Sequence, residues 1–403
     1  MITLPAEGAE DGIQRAIAPF SSEPRTRLIF GVNAVEQIGQ LALGLPASRV
    51  LLVTDSGIVR AGHAERVRGL LEAAGILTTL FADTEENPST ACVDRAVAVA
   101  KEARVDAIIG LGGGSAMDTA KGCNFILTNG GRMQDYWGVG KATKAMLPLI
   151  AIPTTSGTGS ECQSYAIISD AITHQKMACG DPKAAARIAL LDPVLTVSQP
   201  RRVTACTGID ALSHALETAV TLKRNPISWM YSREGFQLCS QNLEKVLRTP
   251  NDLAARGRML LGAAFAGTAI EHSMLGAAHS AANPLSAHFG IVHGQAVGMM
   301  LPVVIRYNAG SAEARNLYAQ LAVTAGLASS DAQQDFAVER LIDHVSQLLR
   351  SAEMPKSLRE AGVNHESLPL LAKEAAKQWT AQFNPRPVGE ADFLRFYSEA
   401  FER

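Results

Sequence analysis

Short apolar runs alternate with helix-patterned segments through the first half of the chain, and this alternation is the feature that most restricts its fold. The run RVLLV at Arg49–Val53 ends in the turn residues TDSG, and after a helical segment a second run, ILTTLF, ends at Phe81. The helical pattern ACVDRAVAVAKEA then precedes an apolar run at 106–110 that leads into glycines. Because each crossover helix must cover apolar sheet surface, the alternation predicts a parallel sheet with helices on both faces.

The pattern changes in the second half of the chain. Three further apolar runs are predicted to be strands: 147–152, 166–169 and 188–191. From about Thr204 onward, segments rich in Ala and Leu, such as FAVERLIDHVSQLLR, space their apolar residues by three and four positions, which is typical of helices. We therefore expect an α/β domain over 1–199, with a polar leader at 1–24, and a helical domain over 200–403.

The composition excludes several classes of partner. Lys and Arg number 37 against 39 Asp and Glu, a net charge of -2, so no global field attracts nucleic acid or anionic lipid. Hydrophobic residues make up 47% and charged residues 19%, which is unlike a disordered chain. No apolar run approaches the roughly 18 residues of a membrane span. We expect a globular protein that binds neither nucleic acid nor membrane.

The cysteines and the N-terminus indicate the compartment. The six cysteines are widely spaced and form no CxxC pair, which is typical of reduced thiols rather than of a disulfide framework. The N-terminal segment MITLPAEGAEDG carries acidic residues where a secretion signal would carry positive charge. We therefore expect a cytoplasmic location.

Glycines dominate a strand-to-helix connection in the segment IIGLGGGSAMDTAKG, where Gly112, Gly113 and Gly114 precede Ser115. Glycines let the backbone approach a ligand closely, and a helix N-terminus offers free N–H donors, so this turn suits a pyrophosphate. A tight turn needed only for packing explains three glycines equally well. The segment matches neither GxGxxG nor the P-loop, so nucleotide binding is a hypothesis at this point.

Asp55 follows the first predicted strand and offers a second indication of a nucleotide. A carboxylate at this place can accept hydrogen bonds from an adenosine ribose and repel the additional phosphate of NADP, which favours NAD. The alternative is an Asp that stabilises a turn through its own backbone.

A second polar loop follows the strand predicted at 147–152, in the segment LPLIAIPTTSGTGSE. Its hydroxyls, including those of Thr154, Thr155 and Thr158, suit the oxygens of ribose and phosphate in an open α/β crevice. A Ser/Thr turn that caps the next helix is the alternative. We favour a binding loop because both loops follow strands at the same predicted sheet edge.

One carboxylate and three imidazoles form a metal-binding pattern in the helical half. Asp210 and His214 are four residues apart in TGIDALSHALE, hence on one helix face. His279 lies in another small-residue helix, and His293 follows a break near Pro284. No cysteine accompanies these residues, so the set is typical of a catalytic Fe²⁺ or Zn²⁺ site rather than a closed structural zinc site. Each histidine alone is more often a hydrogen-bonded core or surface residue.

Taken in order, these motifs resemble the iron-dependent (group III) alcohol dehydrogenase family. The resemblance runs from IFGVNAVEQIG at Ile29, through the glycine, threonine and TGIDALSHALE motifs, to NPRPVGEADFLRFY at Asn384. It implies the dehydroquinate synthase-like fold of that family: an α/β dinucleotide-binding domain with a parallel sheet, followed by an all-α metal-binding domain.

The resemblance also implies roles for individual residues. The metal ligands would be Asp210, His214, His279 and His293, holding Fe²⁺ or, as the alternative, Zn²⁺. The cofactor would be NAD, with NADP as the alternative. The residues that bind it would be Asp55, Gly113, Gly114, Ser115, Asp118, Thr154, Thr155, Thr158 and Lys176.

The sequence departs from the family at one position. Many members have a histidine with a part in proton transfer four residues after the third ligand, where this chain has Asn283 in ANPLS. An asparagine forms hydrogen bonds but does not titrate near neutral pH. Proton transfer is therefore open between His272, His288, a water chain and the cofactor ribose, with Asn283 as a hydrogen-bonding member of the relay.

The implied activity is hydride transfer between NAD(H) and a small alcohol/aldehyde pair, with the divalent metal polarising the substrate oxygen, in a homodimer or larger assembly. One alternative is a related metal enzyme on the same fold, such as a zinc glycerol dehydrogenase or a dehydroquinate synthase-like lyase that uses NAD transiently. Another is a non-catalytic metal-binding relative. The PTTSGTGSE and NPRP segments favour the alcohol dehydrogenases.

Overall fold

The first half of the chain contains the predicted parallel sheet. The computed structural model describes residue 20 and residues 22–173 and 175–402, so most of the leader expected at 1–24 lies outside the described residues. The strands of the sheet are β1 Arg27–Phe30, β2 Arg49–Val53, β3 Leu77–Phe81, β4 Ala107–Gly112, β6 Leu149–Pro153 and β9 Ile188–Leu191. Their order is β1-β9-β6-β4-β2-β3, and all neighbours are parallel.

Helices cover both faces of this sheet, as the alternation predicts. They are α1 Ile38–Leu43, α2 Ser56–Arg60, α3 His63–Ala73, α4 Thr90–Ala103 and α5 Gly114–Asn129. Val50 and Leu52 of β2 belong to the apolar cluster that includes residues of α1 and α3. Leu51 and Val53 belong to a second cluster, which includes residues of α4 and α5. Successive strand residues therefore face opposite helical layers.

The run at 166–169 forms a strand, as predicted, but it lies outside the parallel sheet. This run lies in β7 Tyr165–Ser169, which pairs antiparallel with β8 Lys176–Gly180, and β8 also pairs with the short strand β5 Gly138–Val139. Along β7, Ala166 and Ile168 are buried while Ile167 between them is exposed. A strand buried on one face suits an antiparallel pair in a small mixed sheet, whereas the central strand β4 is buried along its whole length.

The second half is helical, as expected. Its helices are α6 Arg201–Val220, α7 Pro226–Arg248, α8 Leu253–Glu271, α9 Ala277–Phe289, α10 His293–Asn308, α11 Ala312–Thr324, α12 Gln334–Ser351, α13 Leu368–Ala375 and α14 Glu390–Glu402. Small residues let the longest helices approach closely: a Cβ atom on Gly262 of α8 would lie 2.7 Å from the Cys239 sulfur of α7. None of the helices in the described ranges has both the length and the apolar character needed to cross a membrane.

The polar loop after β6 connects the two halves. Gly159 adopts a left-handed conformation (φ 61°) and lies directly against Gly267 of α8, where a side chain on either residue would collide with the other backbone. Nearby, Glu271 at the end of α8 accepts hydrogen bonds from the backbone N–H and the hydroxyl of Ser164, at 2.9 and 2.8 Å. These contacts place the loop between the sheet and α8 of the helical half.

Candidate metal centre and dinucleotide cleft

Three imidazoles converge on the carboxylate of Asp210. Asp210 and His214 lie one turn apart on α6, His279 lies in the first turn of α9, and His293 is the first residue of α10. The Nε2 atoms of His214, His279 and His293 are 3.4, 3.5 and 3.7 Å from Asp210 Oδ1. The fold thus brings together all four residues predicted to be metal ligands.

The geometry of this cluster fits a divalent cation. Tetrahedral ligands at about 2.1 Å from an ion are about 3.4 Å apart, close to the separations of these atoms. The ligand atoms of Asp210, His279 and His293 also lie within 4.8 Å of one another. Asp210 Oδ1 and His279 Nε2 are buried and have no hydrogen-bond partner in the described part of the chain, which a bound cation would explain. One oxygen and three nitrogens suit Fe²⁺ or Zn²⁺.

Nearby charges and burial keep Asp210, His214 and His293 in the protonation states that bind a cation. Burial alone would raise the pKa of Asp210, but the nearby His214, His293 and His279 lower it below its ordinary value, so the group is a carboxylate at neutral pH. Burial lowers the pKa of His214 and of His293, which keeps both rings neutral and able to donate a lone pair.

Glu217 is a buried neighbour of the cluster that the sequence analysis missed. Its Oε2 is 2.5 Å from His279 Nδ1, and its Oε1 accepts a hydrogen bond of 2.6 Å from the backbone N–H of Ala278. Burial opposes protonation of His279, but Glu217 and Asp210 raise its pKa to about 9. The spacing of Asp210, His214 and Glu217 along one face of α6 was the available signal.

The glycine loop forms the predicted turn between β4 and α5. Gly112 has a φ of 149°, which favours glycine, and a Cβ atom there would lie 2.9 Å from the Ala116 side chain. Gly113 is the N-cap of α5, and Gly114 and Ser115 lie in its first turn. The free N–H groups at the N-terminus of this 16-residue helix therefore lie at the glycine loop.

The threonine loop faces the glycine loop directly. The N–H of Thr154 donates to the carbonyl oxygen of Gly112 at 2.9 Å, so the loops are joined through their backbones. A Cβ on Gly113 would be 3.3 Å from the methyl group of Thr155, and one on Gly114 would be 2.7 Å from that of Thr158. The predicted proximity of the two loops is thus present, and their role in binding stays a prediction.

Asp55 performs the turn function that the sequence analysis gave as its alternative role. Its Oδ1 accepts hydrogen bonds from the N–H groups of Gly57 and Ile58, at 2.7 and 3.1 Å, and caps α2. Its Oδ2 lies toward the glycine loop, 3.4 Å from the position of a Cβ on Gly112. One oxygen therefore holds the turn while the other faces the place predicted for the nucleotide, so a role in ribose binding stays a prediction.

Asp118 and Lys176 have different hydrogen-bond partners. Asp118 accepts a hydrogen bond of 3.0 Å from the Ser160 hydroxyl, and burial raises the pKa of its carboxyl to about 6. Lys176 donates to Asn87 Oδ1 at 2.8 Å. Asp118 therefore contacts the loop after β6 in this structure, while the roles of both residues toward a cofactor stay predictions.

Lys121 was not identified from the sequence, although it follows Asp118 by one helical turn. Its fully buried amine donates to the carbonyl oxygen and the hydroxyl of Ser160, at 2.6 and 2.8 Å, and to the carbonyl oxygen of Tyr165 at 2.9 Å. A lysine in the middle of an otherwise small-residue helix was the available signal. Lys121 ties α5 to the segment that follows the threonine loop.

Comparison with known proteins identifies the family. The model of the iron-containing alcohol dehydrogenases matches residues 24–193, and that of the C-terminal region of the Fe-containing alcohol dehydrogenase family matches residues 204–401. The chain belongs to the iron-containing alcohol dehydrogenase family. It is therefore an oxidoreductase of a family that acts on alcohols, and the fold expected from the resemblance is confirmed.

Individual relatives of this family align over nearly the whole chain. The NAD-dependent methanol dehydrogenase of Bacillus methanolicus is 32% identical over 372 residues, which cover 92% of this chain and 97% of the relative. A 1,3-propanediol oxidoreductase of known structure is 30% identical with a TM-score of 0.90, covering 94% of this chain and 98% of the other. The sulfoacetaldehyde reductase of Bifidobacterium kashiwanohense, solved in complex with NAD⁺, is 25% identical with a TM-score of 0.86, covering 95% and 98%.

Of the three residues considered for a proton relay, one lies close to a predicted metal ligand. Asn283 is one turn beyond His279 on α9, and its Nδ2 donates to Gln378 Oε1 at 3.0 Å. His288 lies further along α9, where Nε2 pairs with Glu374 Oε2 at 2.8 Å on the surface. His272 follows the last residue of α8, and burial lowers its pKa. The assignment of a relay stays a prediction.

Proposed function

We propose that this protein is an NAD-dependent alcohol dehydrogenase that binds Fe²⁺, with Zn²⁺ as the alternative ion, and interconverts a small alcohol and its aldehyde. The observation that carries the proposal is the convergence of three imidazole Nε2 atoms on Asp210 Oδ1, in a family of iron-containing alcohol dehydrogenases. When bound, the cation supplies Lewis-acid polarisation of the substrate oxygen and NAD supplies the hydride acceptor.

The residues of the chain have separate tasks in this proposal. Asp210, His214, His279 and His293 hold the cation. Gly113, Gly114 and Ser115 place backbone N–H groups at the start of α5 against the pyrophosphate, and Thr154, Thr155 and Thr158 offer hydroxyls on the opposite side. Lys176 lies within electrostatic range of both Asp118 and Asp210, so the nicotinamide and the substrate would meet where the two halves face each other.

NAD rather than NADP is proposed as the cofactor. Asp55 Oδ2 faces the glycine loop, where a ribose hydroxyl would donate to it and a 2′-phosphate would meet like charge. The methanol dehydrogenase relative is named as NAD-dependent, and the sulfoacetaldehyde reductase was solved with NAD⁺, which supports the same choice.

Proton transfer requires a path that does not depend on titration of Asn283. We propose that Asn283 orients the substrate hydroxyl or a water molecule through the amide atoms that its bond to Gln378 leaves available. The proton then leaves through that water, the cofactor ribose, His272 or His288. A solvent path is consistent with the partial exposure of Asn283.

Further expectations complete the proposal. The domain boundary is placed at 199/200, since β9 ends at Leu191 and α6 begins at Arg201. A cytoplasmic location is supported by the six cysteines, which are all free and buried. We also propose a homodimer, to be checked by light scattering.

Metal analysis of anaerobically purified protein, followed by a panel of alcohols and aldehydes with NAD and NADP, tests this function. We expect about one divalent ion per chain and net formation of NADH from a primary alcohol or diol. Product formation without a net change in NADH would favour a lyase of the same fold, and iron-loaded protein without turnover on the whole panel would favour a non-catalytic relative.

A further inference from the structure

We propose that Glu217 is a positioning residue for the metal site: its carboxylate fixes the tautomer and orientation of His279, and thereby sets the affinity for the cation. The proposal rests on the function proposed above only in taking His279 as a ligand. It assigns a task to a buried acid that neither hydride transfer nor direct ligation requires.

The hydrogen bonds of Glu217 determine which ring nitrogen of His279 carries the proton. A carboxylate only accepts, so the contact of 2.5 Å between Glu217 Oε2 and His279 Nδ1 requires Nδ1 to be the donor. Nδ1 thus keeps its proton, and Nε2, which lies 3.5 Å from Asp210 Oδ1, is the nitrogen that would bind the cation. Metal-bound histidines commonly donate their other N–H to a carboxylate in this way, which orients the ring and raises its basicity.

The other carboxylate oxygen holds the backbone that carries His279. Glu217 Oε1 accepts from the N–H of Ala278 in the first turn of α9, so one side chain fixes both the ring and the helix end next to it. A Cβ atom on Gly276 would lie 3.2 Å from Glu217 Oε1 and 3.0 Å from Asn384 Oδ1, so a glycine gives both side chains room at this helix end.

Burial strengthens the contact between Glu217 and His279. Glu217 is 3% and His279 is 4% exposed, so water does not compete for either group. His279 is distinguished from the other two histidines, since His293 Nδ1 has no hydrogen-bond partner among the residues that the structure describes, and His214 interacts with the backbone of Gly157 rather than with a second carboxylate at hydrogen-bond distance. The buried carboxylate of Glu217 therefore supports one histidine of the set, His279.

Asn384 provides a matched control on the same helix end. Its Oδ1 accepts from the N–H of Ala277 at 3.3 Å, one residue before the contact of Glu217, and it also bonds to Asn308. Asn384 therefore supports the start of α9 without touching the ring of His279. If Glu217 acted only as a helix support, loss of either side chain would weaken the metal site alike.

The test compares Glu217→Gln, Glu217→Asp and Asn384→Ala with the wild-type chain. The affinity for Zn²⁺ is measured by competition with a chromophoric chelator, and the thermal midpoint of each metal-free protein reports folding. We expect Glu217→Gln to weaken Zn²⁺ binding by about 10- to 100-fold, because an amide cannot accept from both Nδ1 and the Ala278 N–H. We expect Asn384→Ala to lower the thermal midpoint while changing Zn²⁺ affinity by less than about threefold.

An unchanged Zn²⁺ affinity in folded Glu217→Gln, or an equal loss in Asn384→Ala, would overturn the proposal. Should Glu217→Gln fail to fold, Glu217→Asp decides, since its shorter carboxylate should reach only one of the two donors and weaken Zn²⁺ binding. These measurements use no alcohol and no NAD, so weaker binding in a protein without dehydrogenase activity would uphold the inference and reject the proposed function.

Discussion

The candidate metal centre and the dinucleotide cleft depend on different features of the chain. At the metal centre, four side chains from three helices converge, and each contributes a particular atom to the cluster around Asp210 Oδ1. In the cleft, the glycine loop contributes backbone atoms. Its glycines carry no side chains, which the close approach of Gly114 to Thr158 requires. One region is therefore specified by chemical identity and the other by shape.

This difference predicts different responses to substitution. A change of atom at the metal centre should remove the cation, because no neighbouring group replaces a lost ligand. A change of volume in the cleft should displace one loop from the other and weaken cofactor binding, while the cation remains bound. The following experiments test this separation.

The largest effect is expected for His279→Ala, which removes the proposed ligand that contacts Glu217. Metal content and activity should fall together. The value of kcat/KM should fall by about 10³-fold, because Lewis-acid stabilisation of several kcal/mol is lost. Metal analysis and steady-state kinetics measure both quantities. His365→Ala, an exposed histidine packed on Phe401, should retain metal and activity. Full metal occupancy in His279→Ala would count against the ligand assignment.

The matching experiment in the cleft is Gly114→Ala. The new methyl group would lie 2.7 Å from that of Thr158, so the loops must separate. We expect KM for NAD to rise about tenfold or more, with unchanged metal content. Gly69→Ala is the control, since that exposed glycine has open space around its Cβ position. Loss of metal from Gly114→Ala would show that the two regions are not independent.

A smaller effect is expected for the charge of Asp55. Asp55→Asn keeps an oxygen that can cap α2 but removes the negative charge, whereas Asp55→Gly removes both. Each variant should lower the ratio of kcat/KM for NAD to that for NADP by about tenfold, because repulsion of the 2′-phosphate is lost. Equal ratios in wild type and both variants would reject the assigned role.

The last effect concerns stability rather than activity, at Glu161 behind the threonine loop. Burial raises the pKa of Glu161 to about 7 from an ordinary value of 4.5, despite the opposing effects of its own backbone and of Lys121. Its contribution to stability is therefore present below pH 4.5 and is lost as the pH rises to about 7. Glu161→Gln should remove this dependence, on the order of 3 kcal/mol across that range.

Thermal midpoints of wild type and Glu161→Gln, measured from pH 4.5 to pH 8, test this expectation. The wild-type midpoint should fall relative to that of the variant as the pH rises. Glu366→Gln, at an exposed position, should follow the wild type at every pH. Parallel curves for wild type and Glu161→Gln would show that Glu161 has the same affinity for protons in the folded and unfolded chain.

The parallel sheet and the helical second half were predictable because their signals are local. Arg49–Val53 is a strand with the predicted bounds, and its alternate residues pack against two helical layers. The run at 166–169 was also predicted as a strand, but the sequence did not indicate its sheet, because an apolar segment of this length does not specify its partner. Its pairing with Lys176–Gly180 depends on a contact that no local pattern encodes.

The sequence by itself determined the two-part architecture, the glycine and threonine loops, and the identity of the four groups around the metal site, because each of these depends on residue type and spacing. Only the tertiary structure decided that Asp55 divides its oxygens between a helix cap and the glycine loop, that Lys121 is buried, and that Glu217 meets His279. Glu217 and His279 are 62 residues apart, and their contact exists because the tertiary fold brings the start of α9 beside Glu217 of α6. Long-range packing, rather than local pattern, thus makes an unremarkable helical glutamate the partner of a proposed metal ligand.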